Sequence, residues 1–166
     1  MALPSSFYAT LLADIAADGA LASLPHNSDS ADAIATAYRA VASPDFWVKR
    51  TNLTPKEIYE ATTTDGTSWS WTIYINRSAA ERDCWQALTS VGMLNTALAN
   101  VEQAIQDIFS GAGGLAQRTH LLTVRRRRAT RIEKLLATGP GSTASPATMQ
   151  FEGALDLNDV LHAWGQ

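Results

Sequence analysis

Four consecutive arginines, Arg125 to Arg128, have the clearest capacity for chemistry in this sequence. Guanidinium groups bind carboxylates and phosphates through paired, charge-assisted hydrogen bonds. Together with Arg131 the run therefore predicts ion pairs with acids of the chain, with another protein, or with nucleic acid. The chain as a whole is slightly acidic, with 13 basic and 16 acidic residues, so this positive charge is local.

The charge distribution along the chain is uneven. Residues 118–134 hold seven basic residues and one acid, whereas residues 1–117 hold six basic and twelve acidic residues. Such asymmetry favours contact between the two parts, within one molecule or between copies. Three readings of the run stay open: a solvated helix face with intramolecular pairs, a protein–protein contact, and nucleic-acid binding. The negative net charge weakens the third.

Arg125 and Arg128 occupy unusual positions in a predicted long helix. On a helical wheel both fall inside the apolar arc, and no acid lies four residues from any arginine of the run. An unpaired buried charge is costly, so we expect both to pair with carboxylates from other elements or to lie at an interface. The candidate acids on the preceding helices are Asp83, Glu102 and Asp107.

No catalytic arrangement is apparent in the sequence. The three histidines are scattered over different predicted elements, and none has the spacing of a metal site. The single cysteine, Cys84, excludes an internal disulfide and stands beside Trp85 in a predicted helix, which favours a core position. We therefore expect no enzyme activity, cofactor, metal ion or small-molecule substrate.

Apolar periodicity predicts a mainly α-helical chain. Capping boxes at residues 54–57 (TPKE) and 78–81 (SAAE) mark two helix starts, and an apolar stripe at 101–109 marks another helix. The longest helix is expected over residues 115–137. Asp156 is expected to cap a short helix near the end of the sequence.

One segment, residues 61–76, carries a strong β signal. Asp65-Gly66 is a favoured two-residue hairpin turn, and apolar residues alternate with polar ones after it: Trp69, Trp71, Ile73 and Ile75. We therefore predict a helical bundle with one β-hairpin over residues 1–138. Residues 139–166 are predicted to form an extended C-terminal arm that ends in a short helix.

The sequence predicts no membrane association. No apolar run approaches the roughly 20 residues of a membrane-spanning helix. A signal peptide is not expected either, because the first residues lack a basic region and Asp14 interrupts the apolar stretch.

The segment ATRIEKLLATGPGSTASPATMQFEG (129–153), with NRSAAERDCWQAL and ALANVEQAIQDIFSGAGG before it, resembles a family of small proteins of tailed bacteriophages and prophages. These proteins are encoded among virion structural genes, and the similarity extends over nearly the whole chain. The resemblance implies a structural part of a virion, synthesised in the host bacterial cytoplasm, rather than an enzyme.

Among small helical virion proteins, the architecture is most similar to the head–tail connector (adaptor or neck) proteins, which form a ring beneath the portal. The hairpin at Asp65-Gly66 and the arm at 139–166 would then correspond to the hairpin and the portal-docking C-terminal arm of those proteins, and the expected partners are portal and tail proteins. The long segment before the hairpin departs from this pattern. The alternatives are another virion role (tail completion, tail tip or capsid decoration) and a nucleic-acid-binding phage protein that uses Arg125–Arg128 on packaged DNA.

A ring of identical subunits requires two different complementary surfaces on each copy. We expect the basic stripe of the predicted long helix and the acidic N-terminal part to supply them. Tryptophans, which are enriched at interface hot spots, offer aromatic anchors. At least two tryptophans are expected in the core instead. The candidate interface residues are Arg125, Arg127, Arg128, Arg131, Trp47, Trp69, Trp71 and Trp164.

Overall fold

The computed structural model describes residues 2–166, and these confirm the mainly α-helical class. The described residues form ten α-helices, two 3₁₀ turns and two short strands that pair with each other. The helices are α1 Tyr8–Ala17, α2 Gly19–Ala22, α3 Ser28–Arg39, α4 Pro55–Glu60, α5 Trp71–Ile75, α6 Ala79–Thr89, α7 Ala99–Ile108, α8 Leu115–Val124, α9 Arg131–Leu136 and α10 Leu157–Ala163. The strands are β1 Trp47–Lys49 and β2 Arg126–Arg128, and the 3₁₀ turns are Ser5–Phe7 and Ala112–Gly114.

The chain divides into two compact units. Unit 1 comprises Met1–Val48 and Arg128–Gln166, and unit 2 comprises the continuous segment Lys49–Arg127. The division therefore differs from the predicted one at residue 138, and a single helical bundle is not confirmed.

Unit 1 is built on four amphipathic helices. The apolar side of α3 packs against α9 and α10, and α1 also packs against α10. Ile34, Ala35 and Tyr38 recur on α3 at helical spacing and are fully buried, as an amphipathic helix requires. At the edge of this core the Leu3 backbone N–H donates to Asp159 Oδ1 at 2.8 Å.

Residues 139–166 pack within unit 1, so the predicted extended arm is not confirmed. The Trp47 backbone N–H donates to the Gly141 carbonyl at 2.7 Å, and the Ala147 N–H donates to the Trp47 carbonyl at 2.8 Å. Further along, Phe151 and Leu155 join the unit 1 core. The physical reason is that burial of these apolar side chains in the same chain removes them from water and is lower in free energy than their exposure on an arm. The predicted capping role of Asp156 is confirmed at α10.

The core of unit 2 is mostly aliphatic but contains an aromatic cluster. Trp85 on α6 packs with Trp69, Phe109 and aliphatic residues of α7 and α8. The capping boxes predicted at Thr54 and Ser78 are both present, with side-chain and backbone bonds in each direction.

The predicted hairpin at residues 61–76 is wrong beyond its turn. The Thr63 N–H donates to the Thr67 carbonyl at 2.9 Å, and Gly66 has φ +72°, which glycine adopts readily. One antiparallel bridge, between Thr62 and Ser68, pairs the residues on either side of this turn. The second arm is α5 instead of a strand, because the Ser70 hydroxyl accepts from the Ile73 N–H and caps a helix.

The predicted long helix at 115–137 is also wrong. The helix ends at Val124, the arginines at 126–128 form β2, and α9 begins at Arg131. The Ala129 N–H donates to the Phe46 carbonyl, and the Ala129 carbonyl accepts from the Ala42 N–H, both at 2.9 Å. These bonds replace helical ones. A new helix then starts at Thr130, which forms a capping box with Glu133.

Candidate protein-interaction site

Arg125 is buried and paired with an acid of unit 2. Its Nη1 lies 2.7 Å from Glu102 Oε1, and the Lys49 Nζ lies 2.9 Å from the other carboxylate oxygen. Burial acts to raise the pKa of Glu102, but hydrogen bonds from Lys49 and Arg125 outweigh it and hold that pKa below its usual value. The expectation that Arg125 pairs with an acid such as Glu102 is confirmed. Arg125 is therefore an interior residue and not an exposed contact.

The other acids expected to face the run take different roles. Asp107 accepts from the Gln103 side chain at 2.8 Å, and Asp83 is exposed on α6. Arg126 pairs with Asp65 of the Gly66 turn, with 3.0 Å between Nη2 and Oδ2. This pair joins the turn to β2 within unit 2.

Arg128 and Arg131 are paired within unit 1. Arg128 bonds the carboxylate of Asp45, but it is exposed on β2, so the buried position predicted for it on a long helix is wrong. Arg131 contacts Asp14 at 2.9 Å and Asp18 at 2.8 Å, and its hydrogen bond is the main cause that lowers the pKa of Asp18. Arg127 is half-buried and also interacts with the rest of the chain. The arginine run is thus used in intramolecular pairs.

A further ion pair of unit 2 stabilises the start of α4. Arg50 donates to Glu57 Oε1, while Oε2 accepts from the Thr54 N–H at 2.9 Å. The Arg50 hydrogen bond, followed by the Thr54 backbone bond, lowers the pKa of Glu57 from 4.5 to about 2. Folding therefore stabilises the ionised form of Glu57 relative to its protonated form.

This shift predicts a pH dependence of stability. Because the folded pKa is depressed, the contribution of Glu57 is present above pH about 4.5 and is lost as pH falls towards 2. In Glu57→Gln, which keeps an acceptor for the capping box, we expect the melting temperature to fall less steeply over this range than in the unsubstituted chain. Thermal melts at pH 6, 4.5, 3.5 and 2.5 measure it. Parallel curves for the two proteins would contradict the assignment.

Two of the candidate tryptophans are not free surface residues. Trp69 is only 8% exposed and stacks on Trp85, with 5.4 Å between ring centroids. Trp47 lies in β1 and is half-buried. The prediction of Trp69 as a contact residue is corrected by its burial, because its ring belongs to the aromatic cluster in the core of unit 2.

Trp71 belongs to an exposed patch of unit 2. Trp71 and Ile75 lie four residues apart on α5 and are 57% and 59% exposed. The Ile75 carbonyl accepts from Arg82 Nη1 at 2.7 Å. The Tyr74 ring lies 5.9 Å from the Trp71 ring. We call these four residues the Trp71 patch.

Trp164 lies at an apolar pocket of unit 1. Its ring stacks on His26, with 4.3 Å between centroids and 12° between planes. The two rings and aliphatic side chains of α1 and α2 line a half-open pocket of about 290 Å³. We call this the His26–Trp164 pocket. Its aliphatic lining includes Leu12, Ile15, Ala16 and Leu21.

The two units carry opposite net charges. Unit 2 has nine basic and seven acidic residues, for a net charge of +2 with histidines neutral. Unit 1 has four basic and nine acidic residues, for a net charge of −5. This division differs from the predicted contrast between residues 1–117 and 118–134, because the basic run is split: Arg125–Arg127 belong to unit 2, and Arg128, Arg131 and Lys134 belong to unit 1.

The described part of the chain contains no group of three or more His, Cys, Asp and Glu side chains that could hold a metal ion. Cys84 is exposed, contrary to the expected core position, because the adjacent Trp85 takes the core-facing place on α6. His120 is fully buried, and its Nε2 lies 2.8 Å from the Ile58 carbonyl, which makes it a structural residue. Within residues 2–166 no helix combines the length and apolarity needed to cross a membrane.

Each unit thus carries one candidate interaction surface: the Trp71 patch on unit 2 and the His26–Trp164 pocket on unit 1. Comparison of the chain with protein-family models, with curated proteins and with solved structures finds no match.

Proposed function

We propose that this chain is a structural subunit of a tailed-phage virion, located at the head–tail connector, where copies assemble into a ring between portal and tail. The resemblance of residues 129–153 and the preceding segments to virion structural proteins supports the virion assignment. The mainly helical architecture supports the connector position by analogy.

The observation that carries the self-assembly part is the opposite charge of two distinct units. A ring of identical subunits joins two different surfaces at each contact, so each copy must present both. A net charge of −5 on unit 1 and +2 on unit 2 favours encounter between unit 1 of one copy and unit 2 of the next. Like units of two copies repel each other at the same time.

The arginine run supports nucleic-acid binding less well than the structural role proposed above. Phosphate binding requires cations that are free to replace counterions. Here Arg125, Arg126 and Arg128 are occupied by carboxylates of the same chain. The nucleic-acid alternative therefore requires these pairs to break first.

The connector position predicts a specific labelling pattern on virus particles. With gold-labelled antibody against this chain, we expect label at the neck of intact particles in electron micrographs. Tailless heads of the same phage serve as the comparison and should carry label at one vertex, if the ring joins the head first.

Other patterns would redirect the assignment. Label over the capsid or at the tail tip would keep the virion role and reject the connector. Absence of the chain from dissociated particles, together with binding to duplex DNA that weakens steeply with salt, would favour the nucleic-acid alternative.

A further inference from the structure

We propose that Trp71 of one copy inserts into the His26–Trp164 pocket of a second copy, and that this contact joins neighbouring subunits. The inference rests on the proposed head-to-tail assembly and names the surfaces that carry it. The occupant of the pocket is thereby a second copy of this chain.

The Trp71 side chain is exposed but held in place. Its ring lies 5.2 Å from Tyr59, 5.6 Å from Trp69 and 5.9 Å from Tyr74, measured between centroids. A side chain that is already ordered loses little conformational freedom on binding. Tryptophan is also among the residues most enriched at binding hot spots, where it fills a pocket on the partner.

The His26–Trp164 pocket has the size and chemistry for one large apolar side chain. Its volume of about 290 Å³ lies at the lower limit of about 300–1,000 Å³ for small-molecule sites. The stacked rings of His26 and Trp164 provide an aromatic wall, against which an indole can stack or meet edge to face. The aliphatic side chains of α1 and α2 complete an apolar lining.

Charge complementarity supports a second copy as the occupant. Arg82 of the Trp71 patch bonds the Ile75 carbonyl and has no carboxylate partner among residues 2–166. On unit 1, Asp29 is exposed in the first turn of α3, three residues after His26. An insertion of Trp71 brings a cation of unit 2 towards the acidic unit 1, whose net charge is −5.

The test compares two variants that each disable one surface. Trp71→Ala removes the inserted side chain, and Ala16→Arg, at an exposed position of α1, blocks the pocket. In sedimentation velocity over a concentration series, the unsubstituted chain should self-associate, and each variant alone should associate about thirtyfold more weakly. The association of the unsubstituted chain should weaken as salt rises.

The mixture of the two variants gives the decisive measurement. Trp71→Ala retains the pocket and Ala16→Arg retains the inserted side chain, so an equimolar mixture should form a 1:1 dimer that grows no further. Met93→Ala and Ala33→Arg, at other exposed positions of units 2 and 1, are the matched controls and should associate like the unsubstituted chain. Circular dichroism melts check that all variants are folded.

The outcomes separate this inference from the proposed function. If the unsubstituted chain stays monomeric at every concentration, or if the two variants associate normally, the Trp71 contact is wrong. Gold label at the neck would in that case still support the connector. If the chain self-associates through Trp71 but is missing from virus particles, the contact stands and the virion role fails.

Discussion

Replacement of Glu102 with alanine is expected to lower the free energy of unfolding by about 3 kcal/mol. The Arg125 side chain is 6% exposed, and Glu102 supplies the carboxylate that compensates its charge at 2.7 Å. Removal of that carboxylate leaves a buried guanidinium without its counter-charge. The lower end of the range of about 3–5 kcal/mol for broken buried pairs applies, because Glu102 itself is a quarter exposed. Urea unfolding followed by circular dichroism measures the change.

A double variant separates the cost of an orphaned charge from the value of the pair. Apolar residues of similar volume can replace a buried pair with little loss, so Arg125→Met with Glu102→Leu should unfold within about 1 kcal/mol of the unsubstituted chain. Lys49, on a flexible stem, can then turn to solvent.

The exposed pair Arg128–Asp45 is the matched control. Its side chains are 43% and 62% exposed, so Asp45→Ala should cost below about 1 kcal/mol. Equal costs for Glu102→Ala and Asp45→Ala would contradict the assignment of Arg125 to the interior.

The sequence predicted that buried arginines of the run would pair with acids, but it did not predict the secondary structure of the run. The cost of an unpaired buried charge correctly predicted a carboxylate partner for Arg125, which is buried beside Glu102. Arg128 also has an acid partner, Asp45, but it is exposed on β2, so the cost argument does not account for that pair. The prediction of one long helix around them was wrong, because apolar periodicity cannot distinguish one long helix from two helices separated by a short strand. The capping box at Thr130 and Glu133 was the available signal, and it marks the true start of α9.

Long-range pairing explains the other differences. Asp45 and Phe46 lie over 80 residues before the groups they bond, Arg128 and Ala129, and no local pattern announces such a partner. The alternation after Gly66 favoured a strand, but Ser70 begins a helix and its backbone N–H donates to the Gln117 side chain at 2.9 Å. The apolar pocket at Trp164 also depends on distant segments, α1, α2 and the loop at His26, and therefore could not be predicted from spacing.

Trp85→Ala is expected to destabilise the chain most among the tryptophan substitutions, by about 3–5 kcal/mol, with a melting temperature lower by roughly 10 °C. The side chain is 1% exposed, and its ring lies 5.4 Å from both Trp69 and Phe109. Its Nε1–H donates to the Tyr59 hydroxyl at 3.2 Å. Alanine leaves a cavity that these rigid rings fill only in part.

A second substitution at Trp85 separates the contribution of ring packing from that of the hydrogen bond to Tyr59. Trp85→Phe keeps one ring in the cluster but loses the hydrogen bond to Tyr59, so a cost of about 1–2 kcal/mol is expected.

Trp71→Ala, at a position 57% exposed, should cost below about 1 kcal/mol in the monomer. If it instead costs as much as Trp85→Ala, Trp71 is needed for the fold of unit 2. A small cost in stability combined with a large loss of self-association assigns Trp71 to the contact between copies, because a side chain that supports the fold cannot be removed without weakening it.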